Sequence, residues 1–353
     1  MSLERERNLT IDLLRVFGGL VVMAAHVPLA ELLFQARNFG TPMLIVVSAL
    51  AAAVTFRDHP PPVVAFLKRR LHKLVLQPWC FLTIFFVLCL GAAHLLHKAF
   101  PFTGREVLMS YAFEGGIGYV WVFKVYITIA LITPALIHFK SSVVDRRKYL
   151  AALLVAYLFN EALCGLLHGW IHEDGMLQVV DDTVLTVVPY AILFAYGLLL
   201  AELTDAMVLL IACASLIVFG VLASLKASQA GHFVPTQQFK YPPTLYYLSY
   251  GLFCVNSVYL ALKAVRIPER AQPALVWLSS NLLWIYLWHI LGILMWQHLA
   301  GPQHDAGLWS FVELLFIIGF GICMTRLQTH GVKQLSAAAP QAGPARALRA
   351  LFG

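Results

Sequence analysis

Ten long apolar stretches constrain the fold of this chain more than any other feature. The 353 residues are 60% hydrophobic and only 12% charged, which is about half the charged share of a soluble domain. A helix needs about 20 apolar residues to cross a bilayer. We therefore predict an all-α polytopic membrane protein with about ten transmembrane helices, at residues 11–34, 39–56, 74–96, 119–139, 149–167, 183–200, 207–225, 243–262, 275–297 and 308–324.

The distribution of basic residues predicts the orientation in the membrane. When Lys and Arg are counted on alternate sides of these spans, 18 fall on one side, five on the other and two within spans. Cytoplasmic loops carry the excess of Lys and Arg, so both termini are predicted to be cytoplasmic. This placement accounts for the net charge of +7 without a nucleic-acid partner. We predict one transmembrane domain over residues 1–326 and a disordered cytoplasmic tail over 327–353.

Asp12, Arg15 and His26 are the most unusual residues of the first span. Ten residues separate Arg15 from His26, so on one helix they share a face and lie about 16 Å apart. Ionisable residues inside a membrane helix mark a functional site. An Arg suits a phosphate or a polarised carbonyl, and a His suits general base catalysis. The alternative is an Arg that extends to the headgroups and a His that is hydrogen-bonded within the bundle.

The cluster KRRLHK at residues 68–73 precedes the third span. Such a cluster commonly does no more than anchor a cytoplasmic loop. It also suits an anionic cytoplasmic ligand such as a nucleotide-bearing coenzyme, with Arg69 and Arg70 meeting its phosphates.

A second polar set lies in the outer halves of later spans, at about the depth of His26. It consists of Lys124, Asn160, Glu161 and His289. Several polar groups at one depth suggest a wet cavity open to the outer side, although Lys124 and Glu161 could instead neutralise each other.

Aromatic residues such as Trp121 form an interfacial belt or stack on sugars. A loose group at His168, His172, Glu173 and Asp174 has little of the character of a metal site, and no metal is predicted.

Several motifs, in order, resemble the integral-membrane acyltransferase-three family, whose members O-acylate sugars. The run DLLR at 12–15 with His26 is similar to the signature of that family's first helix. GTPMLIVVS at 40–48 resembles its second helix, and the basic cluster followed by Pro78-Trp79 resembles its basic motif. YVWVF at 119–123, SSN at 279–281 and IYLWH at 285–289 continue the resemblance, which covers residues 8 to about 325.

The resemblance implies a cytoplasmic acyl-CoA donor, in particular acetyl-CoA, and a hydroxyl of a cell-surface carbohydrate as acceptor. It implies His26 as the catalytic residue with Arg15 as its companion on the donor side. We assign donor binding to Arg69, Arg70, Lys73 and Ser48, and acceptor binding to Asp12, Trp121, Lys124, Glu161 and His289. The chain departs from the family pattern at Ile45-Val46, at Ala49, and at Lys73, where a second Arg is usual.

The expected function is therefore O-acetylation of a polysaccharide or its lipid-linked precursor at a bacterial inner membrane, in contact with polysaccharide synthesis machinery. Direct transfer and an acyl-enzyme route both remain open, as do acetyl and succinyl donors. A solute transporter or flippase is the main alternative, although no internal repeat of the kind common in transporters is evident. A non-catalytic subunit of a polysaccharide export machine is the third.

Overall fold

A computed structural model describes residues 7–56, 62–171, 185–301 and 307–338, together with Phe352. Over these residues the chain is helical and has no β-strand. Short 3-10 turns occur at Ala24–His26, Thr236–Phe239 and Glu269–Ala271, and a π-helical turn occurs at His72–Leu76. The α-helices, in chain order, are α1 (Leu9–Met23), α2 (Glu31–Ala36), α3 (Gly40–Thr55), α4 (Val63–Leu71), α5 (Gln77–Leu95), α6 (Gly104–Ala112), α7 (Trp121–Ser142), α8 (Arg146–Ile171), α9 (Thr186–Leu200), α10 (Asp205–Ala230), α11 (Leu245–Lys263), α12 (Gln272–Ala300) and α13 (Leu308–Ala338).

The all-α polytopic architecture is confirmed. Nine helical stretches in the described part of the chain are long and apolar enough to cross a membrane. The sixth predicted span corresponds to α9, which has only 15 residues and is therefore about 22 Å long. A bilayer core is about 30 Å thick, so α9 is shorter than the other spans.

Two of the differences between the predicted boundaries and the observed helices change how the chain is understood. The span predicted at 11–34 is interrupted, because α1 ends at Met23, the 3-10 turn ends at His26, and α2 begins only at Glu31. Pro28 lies in this gap, and a proline has no backbone N–H with which to continue a helix. At the other end, the boundary predicted at residue 326 lies inside α13, which continues to Ala338.

The chain divides into two compact units. The first comprises Met1–Ala25, Leu29–Pro60 and Ile132–Leu282. In this unit α3 is buried along most of its length and packs against α1, α9 and α11. The approach of α9 to α3 requires a glycine, since a Cβ at Gly197 would lie 2.7 Å from the carbonyl oxygen of Val46. Helix α10 is mostly exposed and apolar, as expected of a helix that faces lipid.

The second unit comprises His26–Pro28, Pro61–Leu131 and Leu283–Gly353. Its core is aromatic and includes Phe81, Phe85, Phe123 and Trp288. The rings of Phe81 and Trp288 meet edge to face with their centroids 5.5 Å apart, a favourable arrangement for two aromatic rings. This core joins α5 and α7 to the second half of α12.

A glycine-dependent turn connects α6 to α7 within the second unit. Thr103 and Glu106 form a capping box at the start of α6, and Phe113 ends the helix in the left-handed region with φ 60°. Gly116 has φ +57°, and a Cβ there would lie 2.2 Å from Oγ of Ser110. The same Ser110 Oγ accepts a hydrogen bond of 3.0 Å from the backbone N–H of Ile117. The turn therefore holds the next residues, including Tyr119, in a defined place.

Candidate active site

A pair of histidines lies within the second unit. Nδ1 of His26 and Nε2 of His289 are 2.8 Å apart, which is hydrogen-bond distance. His289 is fully buried in α12, whereas His26 is half-buried at the end of its 3-10 turn. The two ring centroids are 5.0 Å apart and the ring planes differ by 22°. The pair thus consists of one partly accessible imidazole and one that is closed off from solvent.

The contacts of His289 determine which nitrogens carry the protons. Nδ1 of His289 is hydrogen-bonded to the backbone carbonyl of Tyr286, and a carbonyl can only accept. Nδ1 therefore carries a proton, and Nε2 of a neutral imidazole is then an acceptor. Burial favours this neutral form, since an isolated buried charge is costly. His26 consequently donates from Nδ1 to His289, which leaves the lone pair of His26 on Nε2.

Two tyrosines also lie against His26. The ring of Tyr119 meets that of His26 edge to face, with 4.9 Å between centroids and an interplanar angle of 84°. The centroid of Tyr286 lies 6.1 Å from that of His26. Tyr286 also donates a hydrogen bond of 2.7 Å from Oη to the carbonyl of Tyr119. Together these contacts restrict the orientation of the His26 ring, and we call His26, His289, Tyr119 and Tyr286 the histidine cluster.

Local features of the chain set the positions of both histidines. Because α1 ends at Met23, His26 belongs to a 3-10 turn, and the shared helical face predicted for Arg15 and His26 does not continue to the end of the segment. The turn is held by Ser310, whose Oγ donates a hydrogen bond to the carbonyl of Pro28. His289 is positioned by close packing of α12 on α13, where a Cβ at Gly321 would lie 2.6 Å from the carbonyl oxygen of Ile285.

A second polar group lies in the first unit and is centred on Asp12. The Asp12 side chain is only 4% exposed. Arg7 donates to it from Nε at 2.6 Å and from Nη2 at 2.9 Å, and Ser279 donates from Oγ at 2.5 Å. Arg15 donates to the oxygen of Ser279 at 3.0 Å and lies 3.5 Å from the carboxylate. We call these four residues the Asp12 cluster.

Asp12 lies three residues before Arg15 on one helical face and contacts it, but Arg7 holds the shorter ion pair. Two guanidinium groups and one carboxylate carry a formal charge of +1, which favours an anionic ligand nearby. The side chain of Arg15 is 32% exposed. Sequence reasoning did not assign Arg7 to the site, because it precedes the first span. It noted the serines at 279 and 280 only as part of a motif, since their contacts with Arg7 and Arg15 arise only in the tertiary structure.

Comparison with known proteins identifies the family. A family model described as an acyltransferase domain, of acyltransferase family 3, matches residues 8–325. The chain belongs to the acyltransferase-3 family. This membership makes the protein a membrane acyltransferase. Searches of curated proteins and of solved structures found no significant match.

In this acyltransferase the basic motif lies on an irregular helix. Arg69 and Arg70 are in the last turn of α4, and Lys73 lies in the π-helical turn that joins α4 to α5. Arg69 and Lys73 are exposed, and the guanidinium carbon of Arg70 lies 5.4 Å from the ring centroid of Phe66. Single π-helical turns within helices occur frequently at functional sites. The apolar composition of the neighbouring span gave no sign of this turn.

The remaining predicted site residues have separate local roles. Lys124 forms an ion pair of 2.6 Å with Glu114, and Trp121 begins α7. Oε2 of Glu161 accepts a hydrogen bond of 2.7 Å from the N–H of Leu245, which places a carboxylate at the N-terminus of α11 where the helix dipole favours it. The neutralisation considered for Lys124 and Glu161 is thus replaced by a different partner for each.

Ser48 lies half-buried in α3. The loose group of possible metal ligands lies outside the residues whose side chains the structure describes. It comprises His168, His172, Glu173 and Asp174.

Proposed function

We propose that this acyltransferase moves an acyl group, in particular acetyl, from cytoplasmic acyl-CoA to a hydroxyl of a cell-surface polysaccharide or its lipid-linked precursor, in a bacterial inner membrane. The observation that carries the proposal is the histidine pair. A half-buried imidazole whose Nδ1–H is committed to a buried acceptor has its lone pair on Nε2, and that arrangement suits a general base near neutral pH.

In the direct version of the reaction, Nε2 of His26 accepts the proton of the acceptor hydroxyl. The hydroxyl oxygen forms a bond to the thioester carbonyl carbon, and the bond from that carbon to sulfur breaks. The proton then passes to the coenzyme A sulfur, so that the products are an ester and a free thiol. His289 acts through His26 as a positioning residue, and its hydrogen bond strengthens as His26 becomes positively charged.

The donor is proposed to bind through basic groups near the predicted cytoplasmic side. Arg69, Arg70 and Lys73 suit the phosphates of coenzyme A, with Ser48 as a further donor-side residue. Arg15 suits a phosphate or the thioester carbonyl, while Asp12 fixes its guanidinium.

The acceptor is proposed to be a carbohydrate that stacks on aromatic rings, with Trp121 as one such ring. Lys124, Glu161 and His289 were predicted to contact the acceptor. The local contacts of Glu161 and His289 favour the capping and positioning roles described above.

The test is transfer by purified protein in liposomes. With radiolabelled acetyl-CoA and an oligosaccharide acceptor, wild type should form an alkali-labile ester and release free thiol in equal amount. His26→Ala should abolish both, while the exposed His94, changed to Ala, serves as the matched control and should retain activity. Ester formation at the wild-type rate by folded His26→Ala would remove His26 from this role.

Two further measurements separate this proposal from the alternatives. Arg15→Ala should raise the KM for acetyl-CoA more than it lowers kcat, since its proposed contact is with the donor. A transporter would move a labelled glycan across the liposome without releasing thiol, and a non-catalytic subunit would do neither. Succinyl-CoA in parallel reactions identifies the acyl group preferred.

A further inference from the structure

A buried carboxyl group in the second unit has no role in the reaction described above. Glu313, near the start of α13, is only 5% exposed. Within the part of the chain that the structure describes, its side chain forms no ion pair and no hydrogen bond. A glutamate this deeply buried is rare unless it is paired, and an ionisable residue within a membrane helix marks a functional site.

The helix face that bears Glu313 is directed toward the turn that carries His26. One helical turn before Glu313, Ser310 donates a hydrogen bond from Oγ to the backbone carbonyl of Pro28, which is two residues after His26. Residues three apart on a helix share a face and lie about 4.5 Å apart along its axis. The contact of Ser310 therefore places the Glu313 face against this segment of the chain.

The same face of α13 packs against His289 further along the helix. A Cβ at Gly321 would lie 3.5 Å from the backbone nitrogen of His289. Ile317, between Glu313 and Gly321, is fully buried. Steps of three and four residues keep positions 310, 313, 317 and 321 on one face. Glu313 thus lies on a face whose two ends contact the segments of both histidines, about 12 Å along the axis from Gly321.

Tyr119 links Glu313 to the histidine cluster. Burial and, to a smaller extent, the negative charge of Glu313 raise the pKa of Tyr119. The ring of Tyr119 in turn meets that of His26 edge to face. The carboxyl group of Glu313 is therefore electrostatically coupled to a side chain that contacts the proposed base.

The chemistry of a carboxylate indicates which ligand would complete it. An ionised carboxylate only accepts hydrogen bonds, so the partner that Glu313 lacks is a donor. A metal ion needs several ligands, and no group of three or more His, Cys, Asp or Glu that could hold one occurs among the described residues. A carbohydrate acceptor supplies hydroxyl donors next to the hydroxyl that is acylated.

We propose that Glu313 binds the carbohydrate acceptor, and that its carboxylate accepts a hydrogen bond from a hydroxyl other than the one acylated. This contact would select the hydroxyl that reaches Nε2 of His26. The inference rests on the proposed acyl transfer and names a residue of the acceptor site. An unpaired buried charge destabilises the protein, and such a cost is typical of a site whose partner arrives with the substrate.

The test combines kinetics and stability of Glu313→Gln, which keeps the shape of the side chain and removes its charge. In the liposome assay, the KM for the oligosaccharide acceptor should rise about tenfold or more, as expected when a hydrogen bond to a charged group is weakened. The KM for acetyl-CoA should change little. The unfolding midpoint should equal or exceed that of wild type, because an unpaired buried charge is removed. The exposed Glu31, changed to Gln, is the matched control and should behave as wild type.

Acceptors that each lack one hydroxyl identify the group that Glu313 binds. One of these deoxy acceptors should have a KM about tenfold higher with wild type. The same acceptor should show little further loss with Glu313→Gln, because the two changes remove the same contact. If Glu313→Gln does not fold, Glu313→Asp keeps the charge but shortens the side chain, and it should raise the acceptor KM as well.

The results that overturn the inference are distinct from those that overturn the proposed function. An unchanged acceptor KM in folded Glu313→Gln rejects the inference, and a loss confined to kcat assigns Glu313 to proton transfer instead. A lower unfolding midpoint with both KM values unchanged assigns it a structural role. In these three cases wild type still forms ester and His26→Ala does not, so the proposed acyl transfer stands. Absence of ester formation by wild type rejects the proposed function, and the inference with it.

Discussion

Replacement of His289 by leucine tests how the buried imidazole acts on His26. The change keeps an apolar side chain of similar size in α12 and removes the acceptor that lies 2.8 Å from Nδ1 of His26. In the resting state this hydrogen bond joins two neutral groups and is worth about 0.5–1.5 kcal/mol. When His26 takes the proton of the acceptor hydroxyl, the bond becomes charge-assisted and is worth about 1.5–3 kcal/mol.

Only the difference between the two states contributes to the rate of the chemical step. That difference is about 0.5–2 kcal/mol, so kcat of His289→Leu should fall by about 2- to 30-fold. The loss is smaller than that expected for His26→Ala, since a general base contributes about 10²- to 10⁴-fold. The KM for acetyl-CoA should change little, because His289 is buried behind His26 and does not meet the donor.

The assay is initial-rate ester formation in liposomes at several acetyl-CoA concentrations, with thermal unfolding as a check on the fold. His289→Gln is the conservative control, because its side-chain carbonyl reaches about the position of Nε2 and still accepts a hydrogen bond. It should recover most of the lost kcat. An unchanged kcat in folded His289→Leu, or equal losses in the Leu and Gln variants, would refute the positioning role.

Two further predictions follow from packing and from charge. Gly321→Ala places a methyl group 2.6 Å from the carbonyl oxygen of Ile285, so it should lower the free energy of unfolding by about 1–3 kcal/mol. Both the unfolding midpoint and kcat should fall. The control is Gly319→Ala, whose methyl group meets nothing within 4 Å and which should be close to neutral in the same two assays. Because burial and the nearby positive charge of Arg37 lower the pKa of Lys240 to about 7 from its usual 10.5, the unfolded state binds more protons between these values, and the stability of wild type should rise as pH increases from 7 to 10.5. This rise should be smaller in Lys240→Gln when unfolding free energies are compared across that range, and an identical pH profile for the two proteins would contradict it.

Much of the fold was predictable from hydropathy, because the cost of placing polar groups in a bilayer depends on composition over about 20 residues. In the part of the chain that the structure describes, nine long apolar helical stretches and the shorter α9 correspond to the predicted spans. The interruption near Pro28 was also visible in the sequence, yet its consequence was missed. An apolar run of 24 residues (11–34) was read as one helix, although a proline cannot continue the backbone hydrogen bonds.

For the candidate site, sequence spacing singled out Asp12, Arg15 and His26, since ionisable residues are conspicuous in an apolar segment. The depth of His289 in its span suggested a common region with His26. The hydrogen bond between them was not predictable, because it joins positions 263 residues apart. Which nitrogen of each ring carries a proton depends in turn on the carbonyl of Tyr286.

The amino-acid sequence by itself determined that the chain spans a membrane as helices and which ionisable residues lie within them. Apolar length and charge are local properties, and they decide for each segment separately whether it can cross a bilayer as a helix. The tertiary structure alone decided the partners: Ser279 with Asp12, Glu114 with Lys124, and Lys240 near Arg37. Which side chains contact each other depends on how helices that are distant along the chain pack together. The pattern of residues within one helix does not show that packing.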